Sequence, residues 1–259
     1  MVMKRILFSV LAVSVFLLSA CGVRNSQPLP SASPQPSPLA QKKEEPAATV
    51  EPVSDEPSVV LLYQGHASLR ITAGDHVIYI DPYAGSGYDS PADLILITHG
   101  HYDHNNPDLI QQKKDSCRTI TWTDALQDGT HQSFDLGYVV IDSVEAGNNV
   151  NHSTAECVGY VLRFADGPSV YVSGDTSKTD QMASLKEKKI DYAFFCCDGV
   201  YNMNAEEASE CAALVQAEVS IPYHVSPADP ANSFDMETAE RFQAEGRRIL
   251  KPGEELVLK

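Results

Sequence analysis

The chain has 259 residues, 43% of them hydrophobic, and carries 19 Lys and Arg against 35 Asp and Glu, a formal net charge of −16. That length holds one sizeable core but no second large domain beside it. So acidic an average surface, without a basic stripe, argues against nucleic acid as a partner, because its phosphates would be repelled.

In chain order, Lys4 and Arg5 form a small basic start, and residues 6–18 are an apolar run of signal-peptide length, short for a permanent membrane span. The run ends in Leu18-Ser19-Ala20-Cys21, which resembles the lipobox of bacterial lipoproteins. That resemblance implies cleavage before Cys21 and a lipid thioether on its sulfur, with an ordinary secretory signal as the alternative. Residues 1–20 are thus expected to be a lipoprotein signal peptide, and losing their two positive charges takes the net charge from −16 to −18. Residues 21–57 are rich in Pro, Ser and Glu and have no aromatic side chain, so they cannot bury enough surface to order themselves. They read as a disordered stalk that lifts the folded domain, residues 58–259, above the outer face of a bacterial membrane.

Within that domain, residues 59–63, 68–72 and 76–80 alternate in strand fashion, with turns at Gln64-Gly65 and Ala73-Gly74-Asp75. Residues 94–98 are a continuous apolar strand, expected to be buried on both faces. Asn106-Pro107 has the form of a helix start, which predicts a helix running to about Lys114. Further strands are expected at 118–121, 138–144, 159–164, 169–173, 192–195 and 219–222, and helices at 180–188, 205–217 and 236–244. Besides Cys21 there are five cysteines, an odd number for an exported chain. Cys196 and Cys197 end an apolar run and read as small buried hydrophobes, so no essential disulfide is expected.

The chemistry concentrates in Thr98-His99-Gly100-His101-Tyr102-Asp103-His104, directly after the buried strand. Four potential ligands fall within six residues, including three of the chain's eight histidines. Imidazole mixed with carboxylate suits zinc, manganese or iron, whereas calcium would take oxygen alone.

His-x-His-x-Asp-His after an apolar strand resembles the signature of the metallo-β-lactamase superfamily. The resemblance implies an α/β fold, a four-layer αββα sandwich, with two metals at one edge of its sheets. It implies His99 and His101 on one metal with a later histidine, His152, and Asp103 and His104 on the other. It further implies a bridging aspartate in a Gly-Asp context, Asp175, and a last histidine after a late strand, His224. Gly65-His66-Ala67-Ser68, Ile80-Asp81-Pro82, Gly159-Tyr160 and Ile221-Pro222 resemble the ascorbate-6-phosphate-lactonase-like branch. Val172-Ser173, where relatives often carry His-Ala, departs from it, and no lactam-carboxylate-binding loop is recognisable.

The cofactor so implied is a pair of divalent ions, zinc with manganese or iron as alternatives, about 3.5–4 Å apart and activating a shared water. The implied activity is hydrolysis of an ester, lactone, amide or phosphodiester in a small-molecule substrate. Asp103 would also orient the attacking water and take its proton. His66 is expected to act catalytically on the substrate or leaving group, or else to be a structural turn histidine. Asp81 would orient a metal-bound histidine, or merely end a strand. His76 and His131 have no motif around them and read as surface residues, and Tyr201-Asn202-Met203 lines the pocket or packs. Two alternatives stay open: a surface binding protein that keeps the metals without turnover, and a mononuclear iron dioxygenase of the same fold.

Overall fold

A computed structural model describes residues 59–165, 167–229 and 234–259. The signal peptide, Cys21 and the stalk expected for 1–57 lie outside the described residues. Strands β1 (Val59–Gly65), β2 (Ser68–Ala73) and β3 (His76–Ile80) form an antiparallel meander. Strands β4 (Ala92–Leu96) and β5 (Lys113–Ile120) follow, each parallel to its predecessor in the sheet. A one-turn helix α1 (Trp122–Ala125) and a minimal hairpin, β6 (Leu126–Gln127) and β7 (Thr130–His131), lead to the second sheet. There β8 (Ser133–Asp135), β9 (Val139–Glu145), β10 (Val158–Phe164) and β11 (Ser169–Val172) pair antiparallel. Helix α2 (Met182–Leu185), strand β12 (Tyr192–Cys196), helix α3 (Ala205–Val215), strand β13 (Val219–Tyr223), helix α4 (Met236–Arg241) and strand β14 (Glu255–Leu258) complete the chain. The sheets run β14-β1-β2-β3-β4-β5 and β13-β12-β11-β10-β9-β8, with β11, β12 and β13 parallel.

Period-two alternation sorts the first sheet between two cores. Ile78, Ile80, Leu94 and Leu96 face the second sheet in the main core, while Val77, Tyr79, Ile95 and Ile97 enter a smaller cluster on the opposite face. This is why the β4 sequence reads as unbroken hydrophobe. Over the second sheet, α3 buries Ala208, Cys211, Ala212 and Val215, a stripe at helical spacing, and packs on β12. The outer layer of the first sheet is thinner: Tyr88, Ile110 and Trp122 cover it from loops and α1. The result is the αββα sandwich, with one face carried by short turns.

Several expectations are corrected here. The helix expected from Asn106 to Lys114 is a single 3-10 turn, Pro107–Leu109, followed by β5, which starts at Lys113 rather than 118. Asn106-Pro107 does open a helical turn, but residues 111–115 carry no apolar stripe that could bury a helix. They run instead along the sheet edge, where outward polar side chains stay in water. The C-terminal strand β14 was not expected; it pairs antiparallel with β1. The helices after 180, 205 and 236 end earlier than expected, at Leu185, Val215 and Arg241, the first continuing as a 3-10 turn. Cys117, Cys157, Cys196, Cys197 and Cys211 are all free thiols, four of them buried. Among the described residues no helix is long and apolar enough to cross a membrane.

Candidate metal centre

The candidate metal residues lie in loops that follow strands. His66 sits in the β1–β2 turn, Asp81 after β3, the His99-to-His104 loop after β4, and His152 between β9 and β10. Asp175 follows β11, and His224 follows β13. Backbone strain concentrates here: His66, Asp81 and His224 hold φ of 51°, 46° and 45°, a left-handed conformation costing a side chain on the order of 1 kcal/mol or more. Glycine serves close approach nearby. A Cβ on Gly174, whose φ is 62°, would lie 2.7 Å from the Val158 carbonyl oxygen, so the Gly-Asp context of Asp175 is a steric requirement.

The seven residues expected as ligands come together, and His66 joins them. His99, His101 and His152 form one set whose candidate ligand atoms lie within 4.8 Å of one another; His66, Asp103, His104 and His224 form a second. Asp175 lies between the sets. Its Oδ1 is 3.3 Å from His104 Nε2, and its Oδ2 is 3.4 Å from His152 Nε2, 3.4 Å from His224 Nε2 and 4.0 Å from His99 Nε2. The second set is closed by His66 Nε2, 3.1 Å from Asp103 Oδ2. Two nitrogen ligands about 2.1 Å from one tetrahedral zinc would stand about 3.4 Å apart, so these spacings suit ligands sharing an ion.

The unsatisfied atoms agree with that fit. His99 Nε2, His104 Nε2, His224 Nε2 and Asp175 Oδ1 are buried without a hydrogen-bond partner, an arrangement that costs stability unless something completes them. Burial, reinforced by the His104 charge, pulls the His99 imidazole down to about 2, and burial with His224 pulls His66 down to about 4. Both rings therefore keep a free lone pair at neutral pH. Burial would also discharge His104, but Asp175 and Asp81 on either side hold it well above the ordinary imidazole range. Asp175 is kept well below the carboxylate range by His104 and His224, against its own burial. The donors are imidazole and carboxylate throughout, a set suited to zinc, manganese or iron.

Supporting residues fix the rings. Asp81 Oδ2 accepts from His104 Nδ1 at 2.8 Å, and the same carboxylate accepts from the Thr98 amide at 2.8 Å and the Thr98 hydroxyl at 2.6 Å. His104 thus turns Nε2 toward Asp175. Sequence reasoning missed Asp198, whose Oδ2 lies 3.3 Å from His224 Nδ1. Its Oδ1 accepts from the amides of Val200 and Tyr201, each at 2.7 Å. The one available signal was its place after the apolar run of β12, parallel to Asp175 after β11. His66, expected to act on the substrate or to be a structural turn histidine, is fully buried, and its ring lies tilted against that of His224 with centroids 3.7 Å apart.

The remaining candidates lie elsewhere. His76 is half-buried, stacked on Tyr138 at 3.7 Å and 3.3 Å from Asp93, so it is a packing residue rather than a plain surface one. His131 is half-buried as well, near Ser143. Tyr201 lines the cleft beside the metal residues, Asn202 donates to Asp198, and Met203 is buried in the core.

Residues 60–224 match the family model described as the β-lactamase superfamily domain. The chain is 27% identical over 220 residues to a UPF0173 metal-dependent hydrolase of Lysinibacillus sphaericus, spanning 75% of this chain and 97% of that protein. It is 28% identical over 223 residues to a UPF0173 metal-dependent hydrolase of a Geobacillus species, spanning 76% and 98%. A solved structure of a candidate metal-dependent hydrolase from Parabacteroides distasonis superposes with a TM-score of 0.60 at 29% identity, over 74% of this chain and 92% of that one.

Proposed function

The chain belongs to the β-lactamase superfamily domain family, as a metal-dependent hydrolase, and we propose that it works with two divalent ions held in the cluster above. The observation that carries this is the convergence of three orphaned imidazole nitrogens, those of His99 and His104 from the loop after β4 and of His224 from the end of β13, on Asp175. His99, His101 and His152 would hold one ion, and His66, Asp103, His104 and His224 the other, with Asp175 shared. Zinc suits the donors best, with manganese and iron as alternatives. A bound pair supplies an activated water and an electrophile for a carbonyl or phosphoryl oxygen.

The chain's own residues do the rest. Asp103, half-buried at the mouth of the cleft, orients the water and takes up its proton. Asp81 holds His104 in its presenting tautomer, and the Asp198 carboxylate stands 3.3 Å from His224 Nδ1. His66, grouped with Asp103, His104 and His224, would join the ligands of the second ion. Gly65-His66-Ala67-Ser68 and the tight Gly159 and Gly174 support placement in the ascorbate-6-phosphate-lactonase-like branch. Leu18 to Cys21 supports a lipid anchor on the outer face of a bacterial membrane, with residues 21–57 as tether. Metal analysis of the purified protein with a panel of esters, lactones, amides and phosphodiesters tests the reading. Metal near two per chain with turnover of at least one substrate is expected; two metals and no turnover would favour a binding protein.

A further inference from the structure

Among the described residues, five large apolar side chains are notably exposed: Tyr102 (69%), Val150 (100%), Val200 (60%), Tyr201 (51%) and Val257 (49%). Four of the five stand on the loops that carry the metal residues or their supports. Tyr102 lies between His101 and Asp103, Val150 two residues before His152, and Val200 and Tyr201 just after Asp198. An exposed apolar group is ordinary singly; four on the loops of one cleft mark a binding surface. The cleft has a volume of about 360 Å³, and Tyr102, Tyr201, Pro227 and Ala228 line it beside the metal residues.

The rim is also fixed in place. Asp198 holds the Val200 and Tyr201 amides, Asn151 Nδ2 donates to the Tyr201 carbonyl at 3.3 Å, and Tyr102 sets its ring edge-on to Tyr83 at 5.8 Å. A ligand laid across a preordered rim loses little to ordering it. Charge is the second observation. Among the described residues no Lys or Arg lines this cleft or the adjoining groove beside His99 and His152, whereas Glu156 does line that groove. Beyond the reach of the two ions, a phosphate or carboxylate on the substrate would find no cationic side chain there to replace its water.

Resting on the hydrolase reading above, we propose that the substrate is an uncharged carboxylic ester, lactone or amide with an apolar acyl group of several carbons, which lies across Tyr102 and Tyr201. Hydrolysis then consumes one water. Its oxygen bonds to the acyl carbon, the bond from that carbon to the alcohol oxygen or amine nitrogen breaks, and a proton goes to the leaving group. The other proton passes through Asp103 to solvent, leaving the acyl product as a carboxylate.

The test uses the full-length, metal-loaded protein and alkyl hydroxamates, whose head chelates the metals without needing turnover. Calorimetric affinities of acetohydroxamate and octanoyl hydroxamate are compared within each protein. Burying part of the longer chain should tighten binding roughly tenfold to a hundredfold, and Tyr201→Ala should remove much of that gain. Esters of matching chain length, neutral or phosphorylated, are assayed alongside, and the neutral ones should be cut faster. Equal affinities for the two hydroxamates, or faster hydrolysis of the phosphorylated esters, would overturn the proposal. A chain-length gain without hydrolysis of any ester, lactone, amide or phosphodiester in the wider panel would keep the apolar site and defeat the hydrolase reading instead. Failure of a metal-loaded protein to bind either probe would defeat both.

Discussion

The partner of an imidazole's other nitrogen orients it toward a metal, and here that partner is a hydroxyl at His99 (Thr98), an amide at His152 (Asn149) and a carboxylate at His104 (Asp81). His104 shows the pattern in full: Asp81 takes its Nδ1, Thr98 pins Asp81 through amide and hydroxyl, and Nε2 is left facing Asp175. Asp81→Asn keeps the shape but removes the charge that stabilises this arrangement. Metal affinity should fall by about tenfold to a hundredfold, read by competition with a chelator of known strength. Thr98→Val leaves the Asp81–His104 pair and should lose less. Equal affinity in Asp81→Asn and the unaltered chain would show that Asp81 only ends a strand. His66 is a second case at this scale. If it is a ligand, His66→Ala should lower metal content without losing the folded circular-dichroism spectrum, and cobalt substitution should show a changed visible spectrum. An unchanged cobalt spectrum would return His66 to a packing role.

At the scale of elements, most strands were legible because alternation and β-branched runs report burial directly: β1 to β4 and β9 to β13 are all prefigured within a few residues. The misses have physical causes. β5 is an edge strand whose polar residues look like helix surface, and β14 is a four-residue strand whose partner β1 lies at the far end of the domain. The ligand loop was legible because four donors crowd into six residues, while Asp198, a lone aspartate, shows its role only once β12 brings it beside His224. One cross-link between elements is testable by pH. Asp142 on β9 accepts from Arg163 on β10 and from Lys188 beyond α2, each at 2.8 Å. Burial alone would raise its carboxyl, but those hydrogen bonds, with Ser133, hold it well below the usual carboxylate range. Its stabilisation is therefore present above the unfolded value of about 3.9 and fades as pH falls below it. Asp142→Asn should cost about 1 kcal/mol at pH 7, measured by urea unfolding, and the gap should shrink toward pH 3. A gap that persists at pH 3 would assign the loss to packing instead.

For the whole molecule, stability is expected to come from the hydrophobic core shared by the two sheets, with the metal edge and the N-terminal segment as additions. A chain beginning at Pro57 should therefore fold cooperatively and keep its metals, and Cys21→Ser should abolish lipid labelling of the full chain. Loss of cooperative melting in the shortened chain would show that residues before Pro57 pack on the domain. The two-ion centre is tested most directly by metal content per chain in the unaltered protein, Asp175→Asn and Asp115→Asn, reconstituted with zinc, manganese or iron and checked for folding. Asp115 lies exposed on β5, away from the cluster. The unaltered chain and Asp115→Asn should each hold about two ions, and Asp175→Asn distinctly fewer, since a neutral amide binds cations poorly. An unaltered, folded chain that retains no metal, or an Asp175→Asn chain that retains as much as the unaltered one, would contradict the shared-aspartate centre.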